Sequence, residues 1–522
     1  MKKYMLILCL AFCVFANTKT RTWSGREFQI KMHDINQVEM CISNFGKFGQ
    51  TATGNAGCWW PKGSGQNYIY GAGLWFGTID SMTGDTLVTI GYGPHGGETE
   101  VVPGLKDMSP NHPDNIIYMY PTNWPPPIWT FPMAPQRARS HQDSWTCFND
   151  CDSSAHVPGD TRPIDLEIYQ TVYAWDEPAI EDKLFMIYEI KNVSGHDLYD
   201  CYVGICTDCD IGNEAGIGDD QCTAILRKPY FIDGSLYLID NLAYQWDGDD
   251  YEPGWSSVGA IGFDLLQTPF DLQPGQDKDN DGILDEYERD SAYYWNNVPT
   301  NKWDVDNDGM PDWRDASENP QLEMTAFKIF TLNLEPNIDP ARYATLAGYN
   351  WQTGQYEPYD TIIPTPDDQR FLLSSGPFDL DADSIITVVF ATVLADFGLD
   401  ATPPAETCLV INDHWAQWQY DMNWFLTVEE ETSFEILNTN LIVSPNPAYR
   451  SAKVKFSIPK SGSVSIKLYN AAGQLVRTIT QGYERPGTYT LDINSAGLAQ
   501  GTYFLVLETP GGKSSRSFVI LR

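Results

Sequence analysis

Between residues 277 and 315 the chain writes one acidic pattern twice, DKDNDGILDEYE and then DVDNDGMPDWRD, separated by an aromatic spacer. The stretch holds twelve Asp and Glu against four Lys and Arg, a net of −8. Carboxylates this close repel one another, so a compact fold here calls for a cation. Calcium takes roughly six to eight oxygens, which a short loop supplies when carboxylates alternate along it. In the first repeat Asp277, Asp279 and Asp281 stand at positions 1, 3 and 5, and Gly282 at position 6 allows a sharp turn. Ile283 offers its carbonyl at position 7, Asp285 stands at position 9, and Glu288 at position 12 reaches back with both oxygens. The second repeat supplies Asp304, Asp306, Asp308, the Met310 carbonyl, Asp312 and Asp315.

The first repeat meets every position of the EF-hand loop pattern. The second ends in Asp, as thrombospondin type 3 and dockerin loops do, and Pro311 disfavours a long exiting helix. The pair therefore resembles thrombospondin type 3 loops without flanking helices. The resemblance implies calcium held structurally, with a dissociation constant of about 10⁻⁴ to 10⁻³ M. The competing reading is a solvated acidic loop, against which the glycine at position 6 of both repeats argues. In the spacer, Tyr293, Tyr294, Trp295 and Trp303 are expected to pack over the loops.

The formal net charge of the 522 residues is −37, which sets the chain against nucleic acid and anionic membranes. The charge is uneven: residues 441–522 carry ten Lys and Arg against three Asp and Glu, or +7, leaving −44 for the rest. Such asymmetry predicts a domain boundary near 441. Residues 1–16 read as a signal peptide, with Lys2 and Lys3 before an apolar run that ends at small Ala16. No later run is long and apolar enough to predict a transmembrane span. Removing Cys9 and Cys13 with the signal leaves nine cysteines. Export makes disulfides the expectation, with at least one thiol left over. Cys201, Cys206, Cys209 and Cys222 lie close in sequence, where disulfides or buried thiols are preferred over zinc.

Residues 17–160 are dense in Gly, Pro and aromatics and predict a loop-rich β domain, with Trp59, Trp60, Trp75, Trp124 and Trp129 as core or as a sugar-stacking face. Residues 161–427 alternate apolar and polar in several runs, Asp165–Trp175 among them, and predict a β-sandwich. Strand character returns at Met324, so 277–315 reads as an insertion between strands. Asp208, Asp210, Glu214, Asp219 and Asp220 lie among glycines and read as a solvated loop in preference to a third cation site. Residues 403–426 predict a helix with Leu409, Trp415, Trp418 and Met422 along its apolar face. Residues 428–440 are polar and acidic, and read as a linker. The expected fold class is mainly β, a set of sandwiches with a loop insertion and one short helical segment.

From Leu441 onward about six short strands alternate with turns, which predicts a small antiparallel, immunoglobulin-like sandwich. Ser444-Pro-Asn-Pro447, then Ile466-Lys-Leu-Tyr469 with Gly473, then Leu498-x-x-Gly501-x-Tyr503, ending Val519-Ile-Leu-Arg522, resemble the type A C-terminal sorting domain of the type IX secretion system. Immunoglobulin-like hook-cap domains share the strand pattern. The resemblance implies recognition by the type IX machinery, and release or display at the outer surface of a diderm bacterium. The chain has no H-E-x-x-H, no G-x-S-x-G and no phosphate loop. The reading is a calcium-binding structural or adhesive surface protein whose partners are surface glycans or other surface proteins. The alternatives are a glycan-binding module and a secreted hydrolase whose site the sequence does not reveal.

Overall fold

The computed structural model describes residues 27–93, 98–157, 160–212, 217–232, 235–249, 251–255, 257–278, 280–304, 311–314, 318–396 and 406–423 of the body. In the tail it describes 442–444, 451–458, 462–470, 475–484, 487–494, 498–509 and 512–520. The expected signal peptide and the 428–440 linker lie outside these residues. The chain divides into two compact units, Met1–Phe425 and Leu426–Arg522.

The body is two large antiparallel sheets, face to face. In the first, Ala326–Thr331, Gln369–Leu380, Leu198–Asp208 and Gly71–Ile79 lie side by side, continued by short strands of residues 39–69. In the second the order is Asp220–Ile232, Ser235–Asp247, Gly259–Gln267, Ile385–Asp396, Lys183–Asn192, Leu166–Ala174 and Gln142–Asn149. Period-two alternation sends Ile205, Leu373 and Phe76 from the first sheet, and Ile168, Met186, Phe263 and Phe390 from the second, into one shared core. The opposite faces are covered too. Trp75, Val88, Cys206 and Leu372 pack beneath the helix Asp339–Leu346, and Leu242, Ala391 and Val393 beneath the helix Glu406–Asn423.

Three expectations change. A boundary at 160/161 does not exist: Gly71–Ile79 pairs with Leu198–Asp208, and Gln142–Asn149 with Leu166–Ala174, so both segments share both sheets. The helix buries only part of the predicted stripe, Leu409 fully and Trp415 partly. Leu409, Asp413, Ala416 and Tyr420 face inward, while Trp418 is 41 % exposed. The small side chain of Ala416 lets the helix approach the sheet, where an indole would hold it off. The disulfide expectation fails as well, since all nine cysteines of the body are unpaired. Cys201, Cys209 and Cys222 lie in the inter-sheet core and Cys206 on the opposite face, so these four thiols do not converge on a zinc ion.

The tail forms a three-stranded sheet (Ile442–Ser444, Ser451–Ile458, Gly487–Asn494) and a four-stranded sheet (Leu475–Glu484, Gly462–Asn470, Gly501–Thr509, Gly512–Ile520). Val454, Phe456, Ile466, Leu468, Leu505 and Phe518 fill the core of this unit. The six predicted strands are all present.

Candidate metal centre

Residues 268–325 leave the second sheet after Gln267 and enter the first at Ala326, so the acidic pair is an excursion between sheets. A short ladder closes its neck: Asp271 N donates to Pro320 O (2.9 Å) and Leu322 N to Pro269 O (3.0 Å). The Arg289 guanidinium lies over the Phe270 ring at 4.3 Å, fastening the excursion to that neck. The excursion has its own small core of Ile283, Tyr294 and Trp313. The Tyr294 and Trp303 rings lie 4.8 Å and 5.4 Å from Trp313. The spacer aromatics pack as expected, except Trp295, which is exposed. The spacer also makes a two-turn helix, Ser291–Asn297, capped by the Asp290 carboxylate, which accepts from Ala292 N and Tyr293 N.

Gly282 sits at φ +96°, the conformation its position in the loop requires. Ile283 N donates to Asp281 Oδ1 (2.6 Å) and Lys278 N to Asp285 Oδ1 (2.9 Å), which turns the side chains at positions 5 and 9 inward. Asp285, Glu288 and Asp312 are buried. Burial raises the Asp281 pKa, and the charges of Asp277 and Asp285 raise it further. Burial also raises the Tyr294 hydroxyl, helped by the charges of Glu288, Asp312 and Asp281. Carboxylates of both repeats thus surround one tyrosine, whose hydroxyl donates to Glu288 Oε2 at 3.3 Å. Asp277 Oδ1 and Asp285 Oδ2 are buried and have no hydrogen-bond donor. Orphaned carboxylate oxygens of this kind fit a hard cation. In the second repeat Asp304 and Asp312 are described, and Asp312 N donates to Trp303 O (2.8 Å). Asp279, Asp306, Asp308, Met310 and Asp315 lie outside the described residues.

A cleft of about 1250 Å³ adjoins the first loop. Lys278, Asn280 and Asp281 form one side, Leu236, Leu238 and Asp240 another, and His414 and Trp418 of the helix a third. Burial and then the Glu323 charge raise the Asp240 pKa. Of the amino-terminal tryptophans, Trp60 and Trp75 are buried, while Trp129 stands 97 % exposed.

Sequence reading misplaced the other acidic group. Asp208 and Asp220 are buried, not solvated, and Asp247 is buried beside Asp220. Their signal in the sequence is a carboxylate at the end of a strand whose alternate residues are apolar, Cys222 for Asp220 and Ala243 for Asp247. Glu214 lies outside the described residues.

Six of the tail's seven described strands are those its turn spacing predicted, Ile442–Ser444 being the addition, and residues 443–521 match the family of the secretion system C-terminal sorting domain. The tail is a type IX sorting domain. The sorting domain implies recognition by the type IX secretion machinery and a secreted or cell-surface destination. No curated protein matches the chain. Among solved structures, the chain is similar to a polysaccharide lyase at 10 % identity and TM-score 0.24, covering 95 % of this chain and 47 % of that one. It is also similar to a Pichia pastoris lysyl oxidase at 6 % identity and TM-score 0.27, covering 72 % of this chain and 54 % of that one. The chain spans about half the length of each. Among the described residues no helix is long and apolar enough to cross a membrane.

Proposed function

We propose that the protein is a calcium-clamped structural or adhesive protein of the cell surface, delivered by its sorting tail. One observation carries the calcium reading: Asp285 is fully buried with an Oδ2 that meets no donor, beside the carboxylates of Asp277 and Asp281. A buried carboxylate in that state is costly unless a cation completes it. The all-oxygen donor set, with Gly282 in the left-handed region, suits calcium better than zinc or copper. The excursion forms one side of the 1250 Å³ cleft, so calcium would hold a binding surface in shape. Partners of that surface would be other surface proteins or glycans.

Calcium titration of the exported chain by calorimetry, paired with melting curves, tests this. Two loop sites with dissociation constants of about 10⁻⁴ to 10⁻³ M are expected. The melting temperature should rise with calcium, and Asp285→Asn should remove the rise. A melting temperature indifferent to calcium would sink the reading.

A further inference from the structure

We propose that Tyr202, Tyr349 and Tyr356 line a binding pocket for one neutral sugar ring, on the outer face of the first sheet. The pocket holds about 230 Å³, and Thr325, Gly376 and Pro377 are among its other walls. Tyr202 packs with Tyr343 against Trp75, Cys206 and Leu346, the cluster beneath the helix Asp339–Leu346, so it faces away from the inter-sheet core. The pocket stands or falls independently of the calcium loops, none of whose carboxylates lines it.

The local sequence builds this pocket rigid. Tyr202 lies where the strand Leu198–Asp208 slips register against both of its neighbours, the kind of bulge that re-aims a side chain. Its ring meets the Tyr343 ring edge-on, 5.6 Å between centres. Gly376, on the adjacent strand, leaves room for that ring, because a Cβ there would lie 2.5 Å from Tyr202 Cδ1. The helix Asp339–Leu346 ends at Gly348, whose φ of +79° lets its N donate back to Thr345 O (3.1 Å). The chain then turns through the hairpin Tyr349–Asn350/Gln355–Tyr356. Tyr349 stands directly opposite Tyr356, so both rings leave the same face, 5.1 Å apart. Trp351 Nε1 donates to Leu334 O (3.1 Å) and Glu357 N to Gly348 O (3.0 Å), which ties the hairpin down. A pocket already in shape loses little freedom when it binds.

The chemistry of the walls selects the ligand. Among the described residues, the hydroxyls of Tyr202, Tyr349 and Tyr356 have no hydrogen-bond partner. Neighbouring tyrosines are satisfied: Tyr343 donates to Asp200 O (2.8 Å) and Tyr359 to Met324 O (3.0 Å). Burial, then the Asp200 charge and the Tyr356 and Tyr349 phenols, push the Tyr202 hydroxyl up to about 12, so it remains a donor at neutral pH. Each phenol both donates and accepts, as each sugar hydroxyl does, and its ring offers a flat apolar face to a sugar's C–H groups. No charged side chain is among the described walls, although the chain carries −37 overall. An ammonium, a phosphate or a uronate would therefore lose its water there without a counter-charge. The volume falls below the roughly 300–1,000 Å³ of pockets for larger ligands, which suits one ring and not an extended peptide.

The experiment is saturation-transfer NMR of the exported chain with the methyl glycosides of glucose, galactose, mannose and N-acetylglucosamine. Glucuronate, glucosamine and a decaproline peptide serve as comparators. At least one neutral glycoside should receive saturation, and the comparators should not. Tyr202→Phe and Tyr356→Phe each delete one hydroxyl and keep the ring, and each should raise the dissociation constant about threefold to tenfold. Tyr356→Ala, at a residue 62 % exposed, removes a wall without disturbing the core and should abolish the signal. Trp129→Ala, at an exposed indole outside the pocket, should leave it unchanged. Saturation of no neutral glycoside would overturn the proposal, as would equal saturation of the charged sugars. A signal from decaproline alone would assign the pocket to polypeptide, and binding lost with Trp129→Ala but kept in the tyrosine variants would place the sugar elsewhere; either result overturns it.

Discussion

Asp264, in the strand Gly259–Gln267, and Asp413, in the helix Glu406–Asn423, meet as two fully buried carboxyls that hydrogen-bond to each other. Burial pushes both pKa values well above the ordinary carboxylate range, and the nearby Asp240 charge adds to it. A carboxyl whose folded pKa exceeds its unfolded value keeps its proton in the fold and releases it on unfolding. Its contribution to stability is therefore complete below about pH 4 and is lost as pH rises through the folded value. Asp413→Asn keeps a donor without a charge. The variant should melt higher than the parent at pH 8, by roughly 1–3 °C, and show a flatter pH dependence. A variant that melts lower at pH 8 and equally at pH 5 would contradict the shared proton.

Arg370 and Asp208 form a buried ion pair on the first sheet, with Tyr92 donating its hydroxyl to the same carboxylate at 3.0 Å. Arg370→Met leaves Asp208 and Asp368 without their cation. Removing one partner of such a pair costs about 3–5 kcal/mol. Denaturant midpoints should register that loss, and adding Asp208→Asn should recover a large part of it. A full additive penalty in the double variant would show that the pair is not coupled.

Gly73 lies where the first sheet meets the Gly91–Tyr92 turn. A Cβ there would come within 2.6 Å of Tyr92 N and 2.8 Å of Gly91 C, both backbone atoms that cannot rotate away. Gly73→Ala should destabilise by about 1–3 kcal/mol or more. Gly218→Ala meets open space and should be close to neutral. Circular dichroism melts of the two variants compare them directly.

The cysteines make a chemical prediction. Cys408 is exposed and Cys151 half-buried, whereas the other seven are buried. Alkylation of the native protein should label Cys408 fast and Cys151 slowly. The remaining seven should react only after unfolding, and reductant should leave the melting temperature unchanged. Native protection of Cys408, or a drop in melting temperature on reduction, would point to a bond that the fold does not contain.

Much of the local structure was legible because its signal is local. Period-two alternation marks Leu166–Ala174, Lys183–Asn192 and the tail strands without reference to any neighbour. The strand Asp220–Ile232 was missed because it holds Arg227, Lys228 and Pro229, which an edge strand tolerates and a central one does not. The tail is positively charged, regular in its turns and self-contained, so its sequence alone identified it.

Pairing partners are a different matter. Ile205 pairs with Leu74 on one side and Leu373 on the other, across well over a hundred residues each way. Nothing local in the 17–160 segment records that its strands complete sheets begun after residue 161. The acidic loops announced themselves because their carboxylates recur within one short window of sequence. Asp220 and Asp247 did not, because a hairpin 28 residues long brings them together and only the packing of two sheets turns them inward. The sequence by itself determined the strands, the tail and the spacing of the loop carboxylates. Tertiary structure decided which strands share a sheet and which carboxylates lose their water, since both depend on long-range burial, which no short window of sequence contains.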